Sequence, residues 1–83
     1  MPLARLSAAR KRTVGSKQTL KAVLRKEAKA VYIAADAERH VTEPIRKACL
    51  DNNVTVIEVD SMRTLGKTCG IEVGCASAAI IEE

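Results

Sequence analysis

Residues 30–35, AVYIAA, are apolar at every position. A strand with one wet face alternates apolar and polar residues. This run does not, so it is expected to be covered on both faces. The rest of the chain must supply two covers. Residues 54–59, VTVIEV, are β-branched and strand-like. Residues 75–81, CASAAII, read as a last strand of small and apolar residues. Stretches with helical spacing alternate with these runs. The expected fold is α/β, a three-layer α-β-α sandwich around a small mixed sheet of about four strands. Eighty-three residues make one domain spanning 1–83, with a modest core. No linker, repeat or low-complexity segment interrupts it.

The helices are placed by caps and spacing. Residues 3–11, LARLSAARK, have Leu3 and Leu6 at helical spacing, with Pro2 near the start. Residues 12–14 read as a brief extended piece. A second helix opens at Gly15 with Ser16 as its cap and is expected to end near Glu27 or Ala28. Residues 36–40 read as a polar loop. Thr42 is expected to cap a third helix with Pro44 in its first turn, and Val41, Ile45, Ala48 and Cys49 form its apolar stripe. Asp51, Asn52 and Asn53 end it. Ser61 caps a short fourth helix running to about Thr68. Gly70 and Gly74 bracket the loop IEV.

The second helix, GSKQTLKAVLRK, separates two chemistries. At about 100° per residue, Lys17, Lys21, Arg25 and Gln18 share one side, and Leu20, Val23 and Leu24 the other. Basic and amide side chains crowd a helix start whose free N–H groups already favour anions. Gly15 lets another backbone come close. The plainer reading is a surface helix with solvated lysines.

Charge distribution bears on that choice. Residues 1–29 carry nine Lys/Arg and one acid, a net of +8; residues 30–83 carry five Lys/Arg and nine acids, a net of −4. This asymmetry points to a polyanion partner. Tyr32 is the sole aromatic residue, so stacking platforms for single-stranded bases are lacking. Recognition of a nucleic acid would fall to shape, phosphates and base edges.

Other chemistries find little support. Cys49, Cys69 and Cys75 are odd in number, form no CxxC and lie far in sequence from the lone His40. Buried free thiols are expected, rather than a disulfide framework or a metal site. Gly66-Lys67-Thr68 ends like a P-loop, but the first glycine of that motif is replaced by Ser61. The serines lack a GxSxG setting, and the carboxylates are scattered. No catalytic residue and no cofactor is expected. No segment reaches the ~18 apolar residues of a membrane span, and no signal peptide opens the chain. A cytoplasmic protein is expected. In the 70–74 loop, Ile71 and Val73 either stand exposed at the tip or pack into the core.

Three ordered motifs add to this reading. The helix start GSKQTLK, the run IAADAE and the closing LGKTCGIEVG together resemble the ribosomal kink-turn-binding family of the L-seven-Ae type. The resemblance runs from about Val14 to Ile81, and the short length is most similar to the bacterial members. It implies an α-β-α sandwich and an RNA-binding role without catalysis. In that family the start of the second helix enters the widened major groove of a kink-turn. An Asn-Glu pair and a following Lys lie there against tandem sheared G·A pairs. The matching positions here are Lys17, Gln18 and Lys21, with Gly15 where backbone meets RNA and Arg25 further along the helix. Glu38 matches an acid that contacts an extruded base. Ile71, Glu72 and Val73 match an apolar loop that covers bases of the three-nucleotide bulge. Lys17 and Gln18 depart from Asn-Glu, but both donate, which suits guanine O6 and N7. Met62 stands where some relatives carry a basic residue.

The expected protein is a monomer that recognises and stabilises a kink-turn or a similar internal loop. The alternative is a ribosome-embedded structural protein making mainly rRNA backbone contacts.

Overall fold

Strand β2, Ala30–Ala34, is buried at all five positions. The computed structural model describes the backbone of residues 2–83 and side chains from residue 3. The elements in order are α1 (Pro2–Ala8), β1 (Lys11–Val14), α2 (Ser16–Leu24), β2, α3 (Arg39–Asp51), β3 (Thr55–Val59), α4 (Met62–Thr68) and β4 (Ser77–Glu82). The sheet order is β1-β4-β2-β3. β4 runs antiparallel to both β1 and β2, while β2 and β3 are parallel. The sheet is therefore mixed, with β2 and β4 in its interior.

Alternation along β2 sorts the core into two layers. Ala30, Tyr32 and Ala34 face Leu6 of α1 and Leu65 of α4, together with Cys69, Cys75, Ala78 and Ile80. Val31 and Ile33 face Val23 of α2 and Ile45, Ala48 and Cys49 of α3. This is the expected three-layer sandwich, and the expected double cover of β2 is its centre. On the outer surface Arg46 of α3 forms a two-pronged ion pair with Glu58 of β3. The hydrogen bond to Arg46 holds the Glu58 carboxyl below its usual range.

Several boundaries differ from expectation. α1 stops at Ala8, and Lys11 belongs to β1 instead. α3 opens at Arg39, three residues before Thr42, so Pro44 lies inside the helix. Pro44 is exposed there, and the carbonyl it leaves without an N–H partner belongs to exposed His40. β4 begins at Ser77 rather than at Cys75. α2 ends at Leu24, short of Glu27. Its stop is a Schellman turn: Glu27 N–H donates to the Ala22 carbonyl (2.9 Å) and Lys26 N–H to that of Val23 (3.0 Å). Lys26 adopts the left-handed conformation, φ 61°, that this turn demands.

α3 and α4 close with the same pair of bonds. There the left-handed residues are Asn53 (φ 56°) and Gly70 (φ 78°). Ser61 caps α4 as expected, its Oγ accepting from Thr64 N–H at 3.1 Å.

The cap of α2 differs from expectation as well. Gly15, at φ 98° and ψ 155°, holds the capping position, and Ser16 is the first helical residue. The Ser16 hydroxyl accepts from Ser77 Oγ at 3.2 Å instead of from a backbone N–H. The buried face of α2 is Thr19, Ala22 and Val23, which rotates the expected apolar side and leaves Leu24 61% exposed. Thr19 is fully buried because Thr13 of β1 gives its hydroxyl a partner at 2.9 Å.

Candidate nucleic-acid interface

β1, β2 and β3 run in one direction and β4 in the other. Their geometry brings Val14, Ala34, Val59 and Ser77 to the same sheet edge. The connections leaving these residues therefore share one end of the molecule. A chain of hydrogen bonds fixes them to one another. Gly15 N–H donates to the Ser77 carbonyl at 2.9 Å, and Ala34 N–H to that of Ala76 at 2.9 Å. Ala35 N–H donates to the Val59 carbonyl at 2.7 Å. Asp36 Oδ1 accepts from Met62 N–H at 2.7 Å, and the Met62 carbonyl accepts from Cys75 N–H at 3.0 Å. The α2 start, the β2–α3 loop and the 70–76 loop are thus braced as one surface.

This edge carries most of the residues that the sequence singled out. Lys17 and Gln18 are exposed on the first turn of α2. Gly15 precedes them, and a Cβ there would have nothing within 4 Å, so the approach to its backbone is open. Glu38 caps α3 by position, is exposed, and has its Oε2 3.2 Å from His40 Nδ1. Glu72 is exposed and Val73 is 72% exposed. An aliphatic side chain so placed shows water a surface that a partner could cover. Ile71 behaves differently: it is half-buried and packs on the Leu65–Cys69 side of the core. The two readings of the loop divide between its two apolar residues.

Lys21 lies one turn along α2, and Arg25 lies past its last residue. Arg25 is roughly 14 Å from the helix start at 1.5 Å per residue, so it does not join the loop cluster. It lines a shallow groove of about 230 Å³ with Lys11, Gln18 and Lys21, between α2 and the outer strand β1. No ion pair among the described residues takes up Lys17, Lys21 or Arg25. The basic surface therefore runs from the sheet edge along α2. Lys11 is its one member that sequence reasoning missed. Its signal was two-residue strand spacing from Thr13, which faces α2, hidden while Lys11 was assigned to a helix. Arg12 is turned elsewhere, its guanidinium donating to the Ser7 and Cys69 carbonyls.

Gly66-Lys67-Thr68 is helical, within α4. Among the described residues, no group of His, Cys, Asp and Glu is arranged to hold a metal. Cys49, Cys69 and Cys75 are buried free thiols, as expected. No described helix is long and apolar enough to cross a membrane.

A mixed four-stranded sheet between two helix pairs, with three braced connections and a basic helix start at one edge, defines a small α-β-α sandwich that presents its loops at that edge. The chain belongs to the ribosomal protein L7Ae/L30e/S12e/Gadd45 family, whose profile matches residues 3–83. It is 52% identical over 69 residues to an RNA-binding protein of Caldanaerobacter subterraneus subsp. tengcongensis, covering 83% of this chain and 84% of the relative. It is 44% identical over 68 residues to the RNA-binding protein YbxF of Geobacillus stearothermophilus, covering 82% and 83%. The solved structure of a 15.5 kD RNA-binding protein from Giardia lamblia superposes with a TM-score of 0.86 at 28% identity, covering 98% of this chain and 68% of that one.

Proposed function

We propose that this protein binds RNA without catalysis, recognising a kink-turn or a similar internal loop with sheared G·A pairs and stabilising its bent form as a monomer. The observation that carries this reading is the bracing of the Gly15 helix start, the Glu38 loop and the Val73 loop at one sheet edge. Such a surface can meet a groove, an extruded base and a bulge at once. The RNA-binding names of the relatives support the same class of partner.

The mechanism is a population shift. A kinked RNA brings phosphates of two helices together, which is unfavourable. A basic helix start that fits only the kinked groove lowers the free energy of that state relative to the straight one. In this reading Lys17, Lys21 and Arg25 neutralise phosphates or meet guanine edges, Gln18 reads an edge, and Val73 shields unstacked bases from water.

The test is a titration of the full chain with a kink-turn RNA and with a straight duplex of the same stem sequences, at several salt concentrations. The kinked RNA should bind more tightly, and each phosphate neutralised should contribute about −0.9 to the slope of log K against log salt. Equal affinity for both RNAs would remove kink recognition and favour the ribosome-embedded reading. A flat salt response would remove the electrostatic part.

A further inference from the structure

We infer that the groove between α2 and the outer strand β1 seats the phosphodiester backbone of one RNA stem, where that stem continues past the internal loop, and that Lys11 is a phosphate contact within it. This inference rests on the RNA reading above and carries it from the loop to the flanking duplex. The groove has a volume of about 230 Å³ and is lined by Lys21 and Arg25 from the α2 segment, Lys11 and Thr13 of β1, and Ile81 of β4. Gln18 lines it too and also stands exposed on the first turn of α2. The groove is therefore continuous with the basic helix start at the sheet edge.

Lys11 is available for such a contact because its neighbours take up the alternatives. Glu82 lies opposite Lys11 in the β1–β4 pairing, yet its carboxylate is 4.0 Å from the Arg10 guanidinium. The register shifts between Lys11 and Arg12, and a bulge of this kind re-aims side chains. Arg12 sends its guanidinium to the Ser7 and Cys69 carbonyls. Lys11 stays exposed and lines the groove. Among the described residues no ion pair takes up Lys11, Lys21 or Arg25. Three cations sharing one groove repel one another, and a row of phosphates relieves that repulsion.

Chemistry and length select the occupant. The cations are spread along α2 rather than focused on one point, which suits a strand of phosphates better than a single small anion. Tyr32, the sole aromatic residue, is fully buried, so the groove offers no aromatic platform for a base. Backbone contacts fix the orientation of a duplex rather than read its sequence. Glu27 closes the row: it is exposed and borders the groove beyond Arg25, where its carboxylate repels phosphate. Arg25 lies roughly 14 Å from the start of α2. With one phosphate per strand for about 3.4 Å of duplex axis, that length accounts for about four base pairs of stem.

The experiment titrates the full chain, over a range of salt, with a kink-turn RNA in three forms: fully charged, or with uncharged methylphosphonate linkages over the first base pairs of one stem or of the other. On the charged RNA, Lys11→Ala should flatten the slope of log K against log salt by about 0.9, and Lys11→Arg should restore it. The Lys11→Arg rescue separates lost charge from an altered fold. Neutralising one of the two stems should abolish the difference between wild type and Lys11→Ala, and neutralising the other should leave it intact. Equal slopes for wild type and Lys11→Ala on the charged RNA would overturn the inference, as would a Lys11 difference that survives neutralisation of either stem. Preference for the kinked over the straight RNA is measured alongside. Its absence in wild type defeats the kink-turn reading whatever Lys11 does, and its presence with Lys11 silent defeats this inference alone.

Discussion

Gly66 of α4 lies against the backbone of Val73: a Cβ on Gly66 would come 2.2 Å from the Val73 carbonyl oxygen and 3.3 Å from Gly74 Cα. Helix and loop approach this closely only because residue 66 has no side chain. Gly74 makes the same accommodation to Met62, whose Cβ a side chain there would meet at 3.1 Å. The exposed Val73 is therefore held at the sheet edge from below by a glycine seven residues earlier.

The sign of a Gly66→Ala change follows from this contact. In an open helix, alanine is better than glycine by about 1 kcal/mol. Here the added methyl meets main-chain atoms, which cannot rotate away as a side-chain tip could. The loop must move, at a cost of about 1–3 kcal/mol typical of overpacking. Denaturant melts of Gly66→Ala should show this loss, and binding of kinked RNA should weaken as Val73 shifts. A stabilised variant would mean that the loop moves off α4 freely.

Ile71 and Val73 should separate in the same measurements. Val73→Ala should change stability by about 0.5 kcal/mol or less, as surface changes do, and should weaken RNA binding. Ile71 is half-buried against the core, so Ile71→Ala should cost about 1–2 kcal/mol, less than a fully buried isoleucine. Matching melts for the two variants would show that the loop packs differently from this arrangement.

Local signals carried the fold a long way. The unbroken apolar run of β2 required two covers and has them, and Ser61, Asn53 and Gly70 mark helix ends with residues suited to the task. The α2 stop was hidden because Lys26 fills a left-handed position that glycine or asparagine usually announces. Thr19 was not legible as a core residue, since its burial depends on a hydroxyl partner on another element, Thr13. The α3 start was displaced because Pro44 reads as a first-turn residue. In the interface, helical spacing put Lys17, Gln18 and Lys21 on one exposed face correctly. The role of Gly66 was invisible because it rests on packing against a loop, not on the local P-loop-like letters around it.

Lys26 offers a test of the hidden stop. A non-glycine residue in the left-handed region is disfavoured by about 1–2 kcal/mol, part of which is offset by the greater unfolded freedom of glycine. Lys26→Gly should therefore stabilise the protein by about 0.5–1 kcal/mol in denaturant melts. Asn53→Gly should gain less, because asparagine tolerates the same conformation better. An unchanged or lowered midpoint for Lys26→Gly would assign the Lys26 side chain a stabilising contact that outweighs its backbone strain.

Gln18 tests whether the helix start reads bases or only carries charge. It is exposed on the first turn of α2, beside Lys17, and it also borders the groove that holds Lys11, Lys21 and Arg25. Its amide can donate to a guanine edge and accept from an amino group, whereas the lysines only donate. Gln18→Ala removes that capacity without changing net charge, so the salt slope should stay the same. Loss of a good base-edge contact should weaken binding to the kinked RNA by about 1–3 kcal/mol. The same variant should lose much less on an RNA whose sheared pairs are replaced by Watson–Crick pairs. Lys21→Ala should instead flatten the salt slope by about one neutralised phosphate if it meets the backbone. Equal losses for Gln18→Ala on both RNAs would make Gln18 a bystander and leave recognition to phosphate contacts and loop shape.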